Sequence, residues 1–222
     1  MIQKQITTEN ANDGQLKLLY ETAFPKEEQI PWDDLMRLVE DMPLDFTAYY
    51  DDEEVMEQRE QSQACLELAE SRQNSTEGRF IGFTIVYLRP SYNWFWYFAV
   101  REELRGKGFG QQILTLLIER YKEQTCVLDM EAVEQQIPSK RLERLNVDGL
   151  SDSQILNNLE QRKRRHAFYL RNGFRDTCLY RTYNDITMTI MMRGEGTFTM
   201  KDWDKLVGEL KRFWWPDDIS ES

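Results

Sequence analysis

The sequence has no long hydrophobic run, a single histidine and only three cysteines. No stretch approaches the ~18–20 apolar residues that a membrane-spanning helix needs, and the N-terminal segment lacks the basic start and apolar centre of a signal peptide. The cysteines are too widely spaced for a metal-binding pair or a disulfide framework, and His166 accompanies no nucleophile motif of a catalytic triad. We therefore expect a soluble, cytoplasmic protein that contacts no membrane and binds no metal.

Acidic side chains outnumber basic ones, with 39 Asp and Glu against 28 Lys and Arg and a net charge of −11. Such a surface repels phosphate backbones, which disfavours nucleic acid as a partner, and it attracts cations such as amines. Nine of the acids fall within residues 51–79, which we interpret as an acidic insertion. A solvated excursion explains this run about as well as attraction of an amine does, and we favour the solvated excursion.

Hydrophobic periodicity predicts an α/β fold. Strands are predicted at 2–6, 45–50, 80–88, 94–100, 126–133, 177–183 and 186–192. Helices are predicted around 16–24, 31–39, 109–121 and 153–171, the first of them capped by Thr7 or Thr8. Only one strand–helix–strand crossover occurs, so we expect a mixed, mostly antiparallel central sheet with one parallel βαβ crossover. Cys126 and Cys178 fall in predicted strands, where we expect both to be buried.

The segment 194–222 is predicted to be a C-terminal extension with an amphipathic helix. Thr199-Met-Lys-Asp202 resembles a capping box. An apolar stripe follows at helical spacing: Trp203, Leu206, Val207, Leu210, Phe213 and Trp214. Three placements of this stripe are open. In order of preference, it packs on the sheet, covers a substrate cleft, or contacts a second copy in a homodimer.

A glycine-rich loop precedes the helix predicted at 109–121. Its residues are Arg105, Gly106, Lys107, Gly108, Phe109 and Gly110. Glycines expose backbone N–H groups, and the helix start and the two cations add positive charge, so a pyrophosphate is the expected ligand. A turn that only lets the helix pack closely is the alternative. A Walker loop is absent, and a dinucleotide fingerprint would need its third glycine at Gln111, so an NAD(P)-dependent oxidoreductase is disfavoured.

Two segments resemble the GCN5-related N-acetyltransferases (GNAT). Arg105–Gly110 is similar to the Arg/Gln-x-x-Gly-x-Gly/Ala loop of that family, and Arg165–Phe174 is similar to its second motif, a helix with Phe-Tyr followed by Gly-Phe. The resemblance spans Ile2–Arg193 and implies a GNAT-like acyl-CoA-binding catalytic domain at 1–193. It further implies transfer of an acetyl group from acetyl-CoA, the cosubstrate, to a primary amine by direct attack in a ternary complex.

The resemblance also implies roles for particular residues. The backbone of Phe98, Ala99 and Val100, on a strand that separates from its neighbour, would bind pantetheine, and the amides of Arg105–Gly110 would bind the pyrophosphate. Tyr169 matches the tyrosine that protonates the departing CoA thiolate, with simple packing as the alternative.

Other positions are less well defined by the family. Glu131, on the polar face of its strand with Asp129, is our candidate base, and an ion-pair role is the alternative. Arg162 stands where members often have Asn. Asn158, four residues earlier, is assigned to cofactor binding in its place, with an incidental position as the alternative. The acceptor is a small-molecule or protein amine; the rival function is a non-catalytic CoA-binding or protein-interaction module.

Overall fold

The computed structural model describes residues 1–11, 13–24, 26–51, 78–133, 152–183 and 186–214. The strands are β1 Ile2–Gln5, β2 Leu44–Asp51, β3 Arg79–Leu88, β4 Asn93–Val100, β5 Cys126–Glu131, β6 Arg175–Tyr183 and β7 Ile186–Arg193. The helices are α1 Gly14–Ala23, α2 Trp32–Asp41, α3 Phe109–Arg120, α4 Asp152–Arg171 and α5 Met200–Trp214. Among these described helices, none is long and apolar enough to cross a bilayer.

The strands form one seven-stranded sheet in the order β1-β2-β3-β4-β5-β7-β6. Pairs β1–β2, β2–β3, β5–β7 and β6–β7 are antiparallel. The β4–β5 pair is parallel, with Asn93 opposite Cys126 and Trp94 opposite Val127. This arrangement confirms the predicted α/β class with a mostly antiparallel sheet and one parallel crossover.

The chain divides into two compact units, of which the first comprises Met1–Leu88 and Phe95–Leu117. Its core is built from aromatic rings of α1, α2 and three strands. Tyr20 meets Phe83 and Tyr97 with ring centroids 6.2 and 5.3 Å apart. The buried Tyr20 hydroxyl donates to the carbonyl of Ile30 and accepts from its N–H, which fixes the connection between α1 and α2.

Gly82 allows β3 to approach β4 closely within this first unit. A Cβ added at Gly82 would lie 2.2 Å from the carbonyl oxygen of Ala99, closer than any van der Waals contact permits. An isolated glycine inside a strand signals such an approach. Gly82 therefore fixes where the backbone of Ala99, a predicted pantetheine contact, lies against β3.

The second unit comprises Arg89–Trp94 and Ile118–Ser222, and it contains the C-terminal helix. The capping box is confirmed, because the Thr199 N–H donates to the Asp202 carboxylate and the Asp202 N–H donates to the Thr199 hydroxyl. Three residues of the stripe, Trp203, Leu206 and Leu210, are at most 2% exposed, and the Arg181 guanidinium of β6 lies over the Trp203 ring. The side chains of Phe213 and Trp214 lie outside the described part. Packing was the first-ranked placement; the homodimer stays a prediction, as does the division of the chain at residue 193.

Three details differ from the sequence-based expectations. Asp13, rather than Thr7 or Thr8, caps α1 by accepting from the Gln15 N–H. Cys126 is buried, as predicted, but Cys178 is exposed, because it lies in an irregularity of β6 and has a φ of +59°. The predicted acidic insertion falls, apart from its ends, outside the described residues.

Candidate functional site

The glycine-rich loop lies in the first unit and its residues 105–108 are exposed. Gly106 and Gly108 have φ values of +76° and +89°, a region that L side chains rarely adopt. A Cβ on either glycine would meet nothing within 4 Å. The need for glycine at both positions is therefore conformational and does not arise from crowding.

The amides of this loop differ in their backbone partners. The Arg105 N–H donates to the Glu102 carbonyl, so the expectation that all amides of Arg105–Gly110 are open to a ligand is wrong for Arg105. Among the described backbone hydrogen bonds outside helices and strands, none is donated by the N–H of residues 106–108. The amides that follow belong to the first turn of α3, which has no acceptor within its own helix. The loop thus presents successive N–H donors at the positive end of a helix, an arrangement that suits an anion.

Charged groups and strand side chains surround the loop in the same unit. Arg105 Nε donates to the Val100 carbonyl at 3.0 Å, which ties the loop to the end of β4. A Cβ on Gly110 would lie 3.9 Å from both Phe98 and Val100. Loop glycine, Phe98 and Val100 are therefore neighbours, as the predicted cofactor site requires.

Arg79 is a cation that the sequence analysis did not assign to this region. Its guanidinium carbon lies 6.0 Å from the ring centroid of Phe109, the first residue of α3. Arg79 also forms an ion pair with Asp51 at 2.7 Å. No motif marks Arg79 in the sequence, because only the pairing of β2 with β3 brings it to Asp51.

The second unit contains the two predicted catalytic residues. Asp129 and Glu131 share one face of β5 and are half-buried, whereas Leu128 and Met130 are buried. Arg162 of α4 binds both carboxylate oxygens of Glu131, with Nη2 2.8 Å from Oε1 and Nε 2.5 Å from Oε2. The sequence analysis weighed an ion pair for Glu131 and noted Arg162, but it did not connect the two.

Tyr169 lies near the end of α4, with its ring centroid 5.4 Å from those of Phe168 and Phe174. The residue as a whole is half-buried. Burial of its phenol raises the pKa of Tyr169 to about 12, with Arg165 acting to lower that pKa and Asp129 to raise it. In the described part of the chain, no side chain or backbone group hydrogen-bonds the Tyr169 hydroxyl.

The helix that carries Tyr169 ends at Arg171, where the sequence analysis predicted its end. Gly173 has a φ of +80°, and the N–H groups of Gly173 and Phe174 donate to the carbonyls of Leu170 and Tyr169. These two bonds define a Schellman motif. The Phe174 ring then packs on Tyr169, which fixes the position of the phenol relative to the strand that follows.

Two further residues of α4 were singled out in the sequence. His166 Nε2 lies 2.8 Å from Asp176 Oδ1, so it connects α4 to β6, in agreement with a structural role. Asn158 lies on the same helix, but its side chain is outside the described part, and its cofactor role stays a prediction.

We expect stability to fall at alkaline pH because two buried groups resist ionisation. Burial raises the pKa of Tyr169 from 10.0 to about 12 and that of Cys126 from 9.0 to about 11. Between pH 9 and 12 the unfolded chain loses protons that the folded chain keeps, so the free energy of unfolding falls, by up to about 3 kcal/mol per group. Urea unfolding of wild type and of the Tyr169→Phe/Cys126→Ala variant from pH 8 to 11 checks this. The variant should show the shallower loss, and equal slopes would contradict the assignment.

Comparison with known proteins agrees with these observations. The model of the acetyltransferase (GNAT) family matches residues 23–145, more than half of the chain. That range includes the glycine-rich loop and ends before Arg165–Phe174, so the roles taken from the second motif stay predictions. No curated protein gives a match.

Solved structures show the likeness of fold. A GNAT-family protein from Bacteroides thetaiotaomicron has a TM-score of 0.62 at 20% identity, over 96% of this chain and 97% of that one. An aminoglycoside 6′-N-acetyltransferase solved with coenzyme A has a TM-score of 0.53 at 15% identity, over 87% of this chain and 96% of that one. Together with the family match, the sheet topology and the glycine-rich loop, these findings show that the chain belongs to the GNAT family and is an acetyltransferase.

Proposed function

We propose that this acetyltransferase uses acetyl-CoA to acetylate a primary amine by direct attack in a ternary complex. The glycine-rich loop is the observation that carries the proposal. It combines two residues at positive φ, N–H groups without backbone acceptors and the cations Arg105 and Lys107 in a chain of net charge −11. A doubly negative pyrophosphate satisfies the amides and the cations at once.

The remaining cofactor contacts follow from the same unit. Phe98, Ala99 and Val100 end β4 next to Gly110 and Arg105. We assign their backbone groups to the pantetheine arm, apart from the Val100 carbonyl, which already accepts from Arg105. The reason is that Phe98 and Val100 lie beside Gly110 of the loop proposed to bind the phosphates. Gly82 supports the assignment by setting the position of Ala99 from the opposite side.

The chemistry requires a proton acceptor and a donor. The net reaction converts an alkylammonium ion and a thioester into an amide, a thiol and one proton. Glu131, directly or through a water, is our candidate for accepting the proton that the ammonium must lose before its nitrogen attacks the thioester carbonyl. The C–N bond then forms and the C–S bond breaks, while the departing sulfur accepts a hydrogen bond from the Tyr169 hydroxyl. The second proton, which the nitrogen loses as it becomes an amide, reaches the sulfur through that hydroxyl, so the phenol is restored and CoA leaves as the thiol. The first proton passes from Glu131 to solvent.

The acceptor is proposed to be a cationic small molecule in preference to a protein amine. The chain carries a net charge of −11, and such a field raises the local concentration of polyamine-like or aminoglycoside-like cations. A protein amine on a basic segment would be attracted by the same field. Charge alone therefore does not distinguish a small-molecule acceptor from a protein acceptor, and an activity assay with both classes of amine is needed.

Ligand-dependent thermal stability tests the proposal. Acetyl-CoA and CoA should raise the melting temperature, because a ligand at 100 times its Kd stabilises the folded state by about 2.7 kcal/mol. NAD, NADP and ATP at equal concentration should leave the melting temperature unchanged, because the loop lacks their binding motifs. Thiol release from acetyl-CoA should then identify the acceptor among polyamines, aminoglycosides and basic peptides. Stabilisation by NAD(P) alone would overturn the proposal. Binding of CoA without turnover of any amine would favour the non-catalytic module instead.

A further inference from the structure

Arg162 is a buried cation within an otherwise exposed basic run. Its side chain is 2% exposed, whereas its neighbours Lys163, Arg164 and Arg165 are exposed. Burying a guanidinium costs several kcal/mol unless an anion and good hydrogen-bond geometry compensate. We therefore expect the buried guanidinium to have a bound anion that offsets this cost, or a role in function.

Glu131 supplies an anion to compensate this cation. The guanidinium binds its carboxylate through two bonds, from Nη2 to Oε1 and from Nε to Oε2. Two such bonds fix both the position and the plane of a carboxylate. The Glu131 side chain nevertheless keeps 16% of its surface exposed, and a carboxylate that accepts two bonds has further lone pairs available.

The pair and the proposed proton donor lie on the same elements. Glu131 is two residues from Asp129 on the same face of β5, and the charge of Asp129 acts on the Tyr169 phenol. Arg162 precedes Tyr169 by seven residues, which places both on one face of α4, about 10 Å apart along its axis. The Glu131 carboxylate, which is bound to Arg162, and the Tyr169 phenol therefore lie on the same side of α4.

We propose that Arg162 is a positioning residue for the acetyl transfer, which holds the Glu131 carboxylate in one orientation with its exposed edge open to the amine. The inference rests on the proposed function, in which Glu131 accepts the proton of the ammonium. Arg162 touches neither the amine nor the thioester, and it acts only through Glu131. The unusual Arg at this position is then part of how this chain builds its acceptor side.

The decisive test is a double-mutant cycle. Arg162→Met should lower kcat at least about tenfold, because a carboxylate displaced by even 1 Å loses much of its effect, while the KM for acetyl-CoA stays within about twofold. Arg162→Lys should retain part of the rate. In a Glu131→Gln background, Arg162→Met should cause no further loss of kcat. Lys163→Met, the same kind of change on the exposed side of α4, should behave as wild type.

A charge exchange separates positioning from a purely structural ion pair. The Glu131→Arg/Arg162→Glu variant should recover most of the thermal stability lost in Arg162→Met but not its activity, because the carboxylate is then on α4 instead of β5. Recovery of activity in the exchanged variant would overturn the proposal. So would a folded Arg162→Met enzyme with kcat within twofold of wild type, or additive losses with Glu131→Gln. Turnover by the wild type in the same assay tests the acetyl transfer itself, and Glu131→Gln alone tests the proposed base. A loss of kcat in Arg162→Met that is absent in the Glu131→Gln background tests the role of Arg162.

Discussion

Tyr169→Phe should lower kcat by about 10²–10³-fold while the KM for acetyl-CoA changes by less than about twofold. A hydrogen-bond donor placed at a charge that develops in the transition state contributes factors of this size, and the hydroxyl is proposed to act only on the departing sulfur. With a pKa of about 12, the hydroxyl keeps its proton at every practical assay pH. It is also a weak acid relative to a thiol with a pKa near ~8.5, so its main contribution is a hydrogen bond to the developing thiolate.

The interpretation depends on an intact fold, and the structure makes that check possible. No described residue hydrogen-bonds the Tyr169 hydroxyl, so its removal breaks no internal bond in that part of the chain. Tyr180→Phe is the matched control, because Tyr180 is 45% exposed on β6 and lies outside the proposed machinery. The kcat and KM of the wild type, Tyr169→Phe and Tyr180→Phe are measured from steady-state thiol release. If Tyr169→Phe kept the wild-type kcat, Tyr169 would have only a packing role.

The loop and the helix ends were predictable because their signals are local. Glycine at alternating positions before a helix indicates backbone conformations that other residues avoid, and Gly106 and Gly108 do have positive φ. Thr199 and Asp202 form the expected capping box, and Gly173 ends α4 as Asn-Gly predicts. In each case the residues that interact are within a few positions of one another.

The Arg162–Glu131 pair was not predictable from the basic run itself. On a helix, four consecutive cations point in four directions, so the sequence gives no reason to turn one of them inward. The choice depends on which face of α4 meets β5, a tertiary fact. Once Glu131 is known to lie opposite, the pairing of the buried cation follows from charge compensation.

The misplaced cysteine has a similar origin. Alternation along 177–183 predicts a regular strand with Cys178 inside. In the structure, Asp176 pairs with Met191 and Tyr180 with Thr189, so β6 carries extra residues across this step. The irregularity turns Cys178 outward, and it is set by the length mismatch between the two strands.

Replacing both loop glycines should weaken acetyl-CoA binding about 10²-fold. Each alanine must either adopt positive φ, at a cost of roughly 1–2 kcal/mol, or relax the loop and scatter its N–H donors. Because a Cβ at Gly106 or Gly108 meets nothing within 4 Å, the Gly106→Ala/Gly108→Ala variant adds no clash within the protein itself. The loss should therefore appear in KM for acetyl-CoA and in Kd for CoA, with kcat at saturation within a few-fold of wild type.

Gly208→Ala is the matched control for this variant. Gly208 lies inside α5, also has no atom within 4 Å of an added Cβ and lacks a positive φ, so alanine there should leave CoA binding unchanged and raise stability by up to about 1 kcal/mol. Calorimetric titration with CoA compares the proteins. If the double variant bound CoA as wild type does, the phosphates would have to lie elsewhere than on these amides, and the loop would be only a turn. If its kcat fell with an unchanged Kd, the loop would instead act in the chemical step, contrary to the separation of roles between the loop and Tyr169.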